Sequence, residues 1–473
     1  MPAPSRPIAA PGRTSQVAAV PARPRLPNAP PAGRSTWTPQ GAAKGAPRPA
    51  GNAPAPVSAP NRAPLPSLTH LLNRPPSAGV ESPQLTSTVP PAASSDTVRV
   101  AILLPLSGPN RKIGEAMLRA AEQALFTFAD ERLELLPHDT GGSPDGALSA
   151  AQVAIGDGSR VILGPLLGTS VRAVRAVARA AGVPVVAFSS DRTVVGNGVY
   201  TLGFLPSAEV RRVVGYAVRQ GLRRFAVLAP NDAYGDAVVS TAQAMADRIG
   251  GVVTRVQRYD PSAGDFSAPV RLLADYDTRR KTLMNQRKQL EGKTDDVSVR
   301  ALERLKKLQT YGDLPYDALL LADGGKRLQS IAALLPFFDI DPAKIRMLGT
   351  GQWDESGIGT EPALIGGWFA APPPSARGEF VQEYRQVFGA APPRLATLAY
   401  DATALAAVLG RAEKGPDYSA AALTDANGFW GRDGVFRFRN DGTAERGLAV
   451  MQVNRKANKV LDPAPQTFQK LTN

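Results

Sequence analysis

Two histidines, His70 and His138, and no cysteine are what the chain offers for imidazole and thiolate chemistry. A serine hydrolase triad would have to use His138, which precedes Asp139 directly. Sequence neighbours on one loop make a poor base and orienter, and no Gly-x-Ser-x-Gly elbow accompanies them. Metal ligation needs His, Asp and Glu clustered at ligand spacing, and no such cluster is written in the sequence. Gly349-Thr-Gly351 is followed by Gln352-Trp353-Asp354, whereas a dinucleotide fingerprint needs a third glycine and a helix start. No Gly-x4-Gly-Lys-Ser/Thr phosphate loop occurs. The expectation is a protein that binds without catalysing, with no metal and no cofactor.

The polar groups that could bind lie in turns after apolar runs. Leu106-Ser-Gly108, Leu166-Leu-Gly-Thr169 and Ser189-Ser-Asp191 form one set. Asn231–Tyr234, Asp323-Gly-Gly325 and Gly351-Gln-Trp353 form another. Small residues let a backbone approach a ligand closely, and hydroxyls add hydrogen bonds. Ser107, Gly168, Thr169, Ser189, Ser190, Asp191, Tyr234, Gln352 and Trp353 are the ligand-cleft candidates.

The elements that would carry these turns are strands and helices in alternation. Val98-Arg-Val-Ala-Ile-Leu-Leu104 is a nearly unbroken apolar run, the pattern of a strand buried on both faces. A helix to about Asp130 follows, with Ile113, Met117, Ala120, Ala121 and Ala124 on one stripe. Leu133–Leu136, Val161–Gly164 and Val183–Phe188 are further strands. The helix between the first two of these is expected to be capped by Ser143, with Pro144 in its first turn. The rhythm restarts with a helix at Ser207 and strands at Arg224, Val252, Asp317, Ile345 and Gly367. Strand, turn, helix, strand is the grammar of parallel sheets with helices on both faces. In such sheets ligands bind beyond the carboxyl ends of the strands, where helix N-termini present free N–H groups.

Before Val98 the texture is different. That segment holds 22 of the 44 prolines and one aromatic residue, Trp37. It cannot bury enough apolar surface to offset the entropy of ordering, so residues 1–97 are expected to be a disordered Pro/Ala/Arg-rich linker. It carries nine Lys and Arg against Glu81 and Asp96, half of the chain's formal +14. A basic tether is drawn to anionic surfaces. It lacks interleaved aromatics and dense basic runs, which argues against nucleic acid. No 18-residue apolar run is present, and the N-terminus shows no signal-peptide pattern.

One interval breaks the alternation. Residues 271–311 contain eleven basic and six acidic side chains. Leu273, Tyr276, Leu283 and Leu290 recur near heptad spacing, and Gly292-Lys-Thr-Asp295 could turn the chain. The spacing predicts a charged helical hairpin inserted into the second half.

Several motifs occur in order that are familiar together. Leu104-Pro-Leu-Ser-Gly-Pro-Asn110, Asp139-Thr-Gly-Gly-Ser-Pro-Asp145, Val161-Ile-Leu-Gly-Pro-Leu166 and Pro184–Ser190 resemble the type I periplasmic binding protein fold, in its leucine/isoleucine/valine-binding branch. Asn231-Asp-Ala-Tyr-Gly-Asp236, Gly264-Asp-Phe-Ser267 and Leu398-Ala-Tyr-Asp-Ala402 extend the likeness. The resemblance implies two Rossmann-like α/β lobes joined by a hinge, within a module spanning 98–473. Lobe 1 would comprise about 98–206 and 372–428. Lobe 2 would comprise about 207–371 and 429–473, with the insertion at 271–311.

The resemblance also implies positions for amino-acid recognition. Gly168 stands where a hydroxyl-bearing turn would hold the ligand carboxylate, with Thr169 and Ser170 next to it. Ser190 and Asp191 fall on the second carboxylate site, where an aspartate would repel that group. Tyr234 matches a ligand-stacking tyrosine. The acidic receiver of the ammonium falls near Gly351-Gln352, which has no carboxylate. Two of the four recognition elements are therefore replaced.

Gly349-Thr-Gly-Gln-Trp-Asp354, Gly366–Pro372 and the charged helices resemble the penicillin-binding protein activator branch, lipoproteins that regulate peptidoglycan synthases. That likeness implies a periplasmic, outer-membrane-associated protein whose partner is a peptidoglycan synthase or a cell-wall fragment. Any membrane attachment would run through a lipid anchor encoded upstream of Met1. The alternative is the substrate-binding protein of an ABC importer, with a small polar ligand such as an amino acid and a permease as partners.

Overall fold

A computed structural model describes residues 97–468 apart from 356. The expected linker, Thr97 excepted, lies outside the described residues.

The first sheet has the order β2-β1-β3-β4-β5, all parallel. Its strands are β1 (Val98–Leu104), β2 (Leu133–Asp139), β3 (Val161–Leu163), β4 (Val185–Ala187) and β5 (Val199–Thr201). Between them run α1 (Arg111–Phe128), α2 (Pro144–Gly156) and α3 (Gly168–Ala180). β1 is apolar throughout because both its faces are covered. Val100, Ile102 and Leu104 pack with Met117 and Ala121 of α1, while Ala101 and Leu103 pack with Ala147 and Ala151 of α2. Each such aliphatic side chain contributes about 1.5–3 kcal/mol by leaving water. The expected cap at α2 is present: Gly146 N–H donates to Ser143 Oγ at 3.1 Å, satisfying one of the donors a helix start leaves open.

The second lobe begins with α4 (Pro206–Arg219), β6 (Arg224–Pro230), α5 (Ala233–Arg248) and β7 (Val252–Tyr259). There follow α6 (Ser267–Leu273), α7 (Tyr276–Leu290), α8 (Asp296–Lys306), β8 (Ala318–Leu321), α9 (Gly325–Phe337), β9 (Arg346–Gly349) and β10 (Trp368–Ala371). The chain then returns to the first lobe through α10 (Pro374–Phe388), α11 (Ala396–Gly410) and α12 (Ala420–Leu423). The C-terminal strands are β11 (Phe429–Gly431), β12 (Gly434–Phe438), β13 (Ala444–Arg446), β14 (Ala449–Gln452) and β15 (Lys459–Asp462). The second sheet has the order β15-β14-β10-β9-β8-β6-β7. β14 and β15 run antiparallel on its edge, so this sheet is mixed and has seven strands.

The packing of 429–446 differs from the expected placement of 429–473 in lobe 2. β11, β12 and β13 form a small antiparallel sheet of their own, and Phe436, Phe438 and Ala444 pack in one cluster with Val98, Val100 and Leu398. Only from Ala449 does the chain join the second sheet, by pairing with Ala371. The alternating Val435-Phe-Arg-Phe438 run offers its aromatics to whichever core is nearest, which sequence spacing alone does not specify.

Within 271–311, α7 and α8 pack as a hairpin. Arg287 closes it, donating to the carbonyls of Leu305 at 2.8 Å and Leu308 at 2.9 Å. Asp295 caps α8 by accepting Ser298 N–H at 2.9 Å. Leu283 is the buried residue of α7, and α8 has none.

Candidate functional site

The carboxyl ends of the first sheet's strands carry the expected turns. Asp139, ending β2, reaches across to the turn after β1, where its Oδ1 accepts N–H groups from Leu106 at 2.8 Å and Ser107 at 3.1 Å. It also accepts from Gly141 N–H at 2.8 Å. Partial desolvation would raise the Asp139 pKa, but the bonds from Ser107, Gly141 and Leu106 outweigh it and hold it below the usual range. Ser107 is exposed and fixed through its backbone.

The turn after β4 is built round Asp191. Its Oδ1 accepts Thr193 N–H at 2.8 Å and the Thr193 hydroxyl at 2.7 Å, and its Oδ2 takes Arg172 Nη2 at 3.1 Å. Asp191 N–H donates to the Oγ of buried Ser189 at 3.1 Å. Gly168 opens α3 directly beside it: a Cβ on Gly168 would stand 2.8 Å from Asp191 Oδ2 and 3.3 Å from Ser189 Oγ. Gly168, Ser189 and Asp191 are thus brought together, and the protein's own carboxylate occupies the start of α3, where the helix dipole favours negative charge. Thr169 and Ser190 are exposed beside them. Ser170 is turned inward, donating to the Ser143 carbonyl at 3.2 Å.

In the second lobe the Tyr234 hydroxyl pairs with Thr350 Oγ1 at 2.8 Å. Burial and the nearby Glu209 charge push the Tyr234 pKa up, so it acts as a neutral hydrogen-bonding group. Asp323, after β8, accepts from the Tyr259 hydroxyl, from Arg327 Nε at 2.8 Å and from its neighbour Gly324 N–H at 2.8 Å. Gln352 is exposed.

Trp353 is not on a cleft surface, contrary to its place among the candidates. It is 0% exposed and packs with Phe369 at a ring-centre distance of 6.3 Å. Gly349 makes the room: a Cβ there would lie 2.1 Å from the indole. The glycine before Trp353 serves the core rather than a ligand.

Near the crossings lies a set of buried charges that sequence reasoning missed. Glu209, in the first turn of α4, is 6% exposed and accepts Gly351 N–H at 2.9 Å. Burial pushes its pKa up to about 7, against the Gly351 bond and the Arg394 and Arg446 charges. Phe204, in the first crossing between lobes, lies between two guanidiniums, Arg394 at 4.0 Å and Arg446 at 4.8 Å from its ring centre. Arg446 also donates to the Leu202 carbonyl at 2.7 Å, joining the last crossing to the first. Arg394 pairs with fully buried Asp433 at 2.8 Å. Asp354 faces Arg377 at 3.5 Å and Arg394 at 4.0 Å, an ion pair from lobe to lobe. Asp401 accepts Arg432 N–H at 2.7 Å, and burial together with the Asp433 charge raises its pKa. Two signals stood in the sequence. Asp401 is the single charge in the apolar helix Ala396–Gly410, and Glu209 adjoins the Val210–Val213–Val214 stripe. Of these contacts, the Asp354 pairs join one lobe to the other.

His138 lies on β2, one residue before Asp139. It is half-buried, burial lowers its pKa, and its Nε2 has no hydrogen-bond partner among the described residues. No group of three His, Cys, Asp or Glu side chains placed to hold a metal occurs among the described residues.

Two α/β lobes, three crossings and turns gathered at the strand ends are the architecture of a hinged binding protein, and the sequence profile of the periplasmic binding protein family matches residues 97–459. The chain belongs to that family. Its type I fold is shared with a putative branched-chain amino acid ABC transporter protein from Rhodospirillum rubrum, at a TM-score of 0.60 and 18% identity, over 77% of this chain and 100% of that one. It is shared too with an ABC transporter substrate-binding protein from Sphaerobacter thermophilus, at a TM-score of 0.58 and 19% identity, over 78% and 98% of the two chains. Among curated relatives, this chain is 32% identical over 153 residues to the penicillin-binding protein activator LpoA of Glaesserella parasuis serovar 5 (strain SH0165). That match covers 32% of this chain and spans about a quarter, 25%, of the relative.

Proposed function

We propose that this protein is a non-catalytic regulator of peptidoglycan synthesis in the periplasm, a penicillin-binding protein activator that engages a synthase through its two-lobed module. The observation that carries this reading is the Asp191 carboxylate lodged beside Gly168 and Ser189. An incoming amino-acid carboxylate would meet a like charge there, at short range and partly out of water. On the facing lobe, Asp323 is spent on Tyr259, Arg327 and Gly324. The cleft is poorly equipped for a free amino acid. The stretch of 32% identity to an activator supports a regulatory role. So does the α7–α8 hairpin, which presents Met284, Val297 and Val299 among basic side chains.

The test uses the full chain in two measurements. Surface plasmon resonance against a bifunctional peptidoglycan synthase should show binding that is lost when residues 276–306 are replaced by a short Gly/Ser linker. Calorimetry against amino acids and muropeptide fragments should show no tight free amino acid. The second reading, a substrate-binding protein of an ABC importer, is favoured by the family itself. Micromolar amino-acid binding with lobe closure, and no synthase capture, would establish that reading and end the first.

A further inference from the structure

A basic groove runs beside the hinge, outside the cleft walls described above. It has a volume of about 750 Å³, and an adjoining hollow of about 400 Å³ shares Arg192, Arg211, Met245 and Arg248 with it. Its arginines come from both lobes. Arg192 lies just after β4 and Arg439 just after β12, both in the first lobe; Arg211 is on α4 and Arg248 in the last turn of α5.

The acids of the groove are already engaged. Asp462 takes both Arg212 and Arg219 at 2.8 Å. Glu445 takes Arg437 at 2.8 Å and Arg439 at 3.1 Å. Arg192, Arg211 and Arg248 have no ion pair of this kind among the described residues. Burial lowers the pKa of Arg211, and the charges of Arg192, Arg439 and Arg248 lower it further, only partly opposed by Glu445. Like charges collected in a partly desolvated groove cost stability unless an anion offsets them.

Size and chemistry narrow the occupant. Three unpaired guanidiniums exceed what one carboxylate neutralises, and their planar forks match phosphate oxygens. Leu205, Leu448 and Pro463 give the groove an apolar side, and its volume suits a small-molecule scaffold rather than a lone ion. Among the described residues no aromatic side chain lines it, so they offer a nucleic-acid strand nothing to stack on.

We propose that this groove binds a ligand carrying two or more phosphate groups on one scaffold, gripped by arginines of both lobes at once. The site is independent of the cleft and of synthase binding, and stands or falls without them.

The test is calorimetry of the full chain with sodium tripolyphosphate at low salt. The triple variant Arg192→Gln, Arg211→Gln, Arg248→Gln should bind at least about tenfold more weakly. A charge-matched control, Arg179→Gln, Arg300→Gln, Arg385→Gln, should keep its affinity. Equal losses in both variants would reduce the binding to bulk charge and overturn the proposal. Inorganic monophosphate binding as tightly as tripolyphosphate would overturn it too. Should the triple variant fail to fold, the exposed single change Arg248→Gln serves, with a smaller loss expected. Sedimentation with phosphatidylcholine vesicles, with and without phosphatidic acid, separates the two sources of phosphate. Capture by the acidic vesicles alone assigns a lipid headgroup, and tripolyphosphate binding without capture assigns a soluble ligand.

Discussion

Glu209 accepts the backbone N–H of Gly351 at 2.9 Å from a site where its side chain is almost wholly buried. The bond ties the first turn of α4 to the turn after β9. Its pH behaviour follows from its pKa. In the folded protein the value is about 7, above the ordinary 4.5. The native state therefore holds the proton more tightly than the unfolded chain. The stability this gives is complete below pH 4.5 and is lost as pH rises through about 7. The loss amounts to at most about 3 kcal/mol over that window. Asp401, raised by burial and by Asp433, adds a slope of the same sign. Urea unfolding between pH 4.5 and 8 should show declining stability, and Glu209→Gln should flatten the decline. An unchanged slope in that variant would mean that Glu209 stays ionised throughout.

Removing Asp191 should open the first lobe's anion position. Asp191→Ala takes the carboxylate from the start of α3 and leaves Arg172 without its ion-pair partner, with only the Thr193 hydroxyl still accepting at 3.1 Å. Carboxylate ligands such as leucine should then bind at least about tenfold better than to the parent, by calorimetry. If the variant gains nothing, the block lies elsewhere in the cleft.

The Gly349–Trp353 contact gives a packing test. Gly349→Ala puts a methyl 2.1 Å from the indole and should cost about 1–3 kcal/mol by overpacking. Trp353→Leu makes space for that methyl, so the double variant should lose less than the two single losses added together. Simple additivity by denaturant titration would contradict the contact.

Arg394 and Asp433 should behave as a buried pair. Arg394→Ala strands a carboxylate that is 0% exposed and should cost about 3–5 kcal/mol. Replacing both by apolar residues of similar size should cost much less. A loss below about 1 kcal/mol for the single change would show that Asp433 is satisfied without it.

Much of the fold was written in local pattern. The unbroken Val98–Leu104 run, the Ser143-Pro144 start of α2 and the turn glycines each report on their own surroundings. β5, β11 and β13 were not legible: Val-Tyr-Thr, Phe-Trp-Gly and Ala-Glu-Arg lack the wholly apolar character that marked the equally short β3 and β4, and their pairing depends on distant chain. Glu209 and Asp401 were visible as charges in apolar stretches, but what faces them, Gly351 in one case and Arg432 in the other, is set by tertiary packing. Trp353 misled for a related reason. A tryptophan beside glycines reads as exposed until the missing Cβ of Gly349 is seen to be its socket.

The three crossings carry a consequence for how the protein is made. The first lobe's core is unfinished until Phe436 and Phe438 reach it, although that core begins at Val98. A ribosome must therefore deliver nearly the whole module before its opening strand can settle. The usual order, in which the N-terminal unit folds while the rest is still being synthesised, is closed to it. A chain interrupted anywhere before residue 436 would leave apolar β-strands uncovered, prey to proteases and to one another.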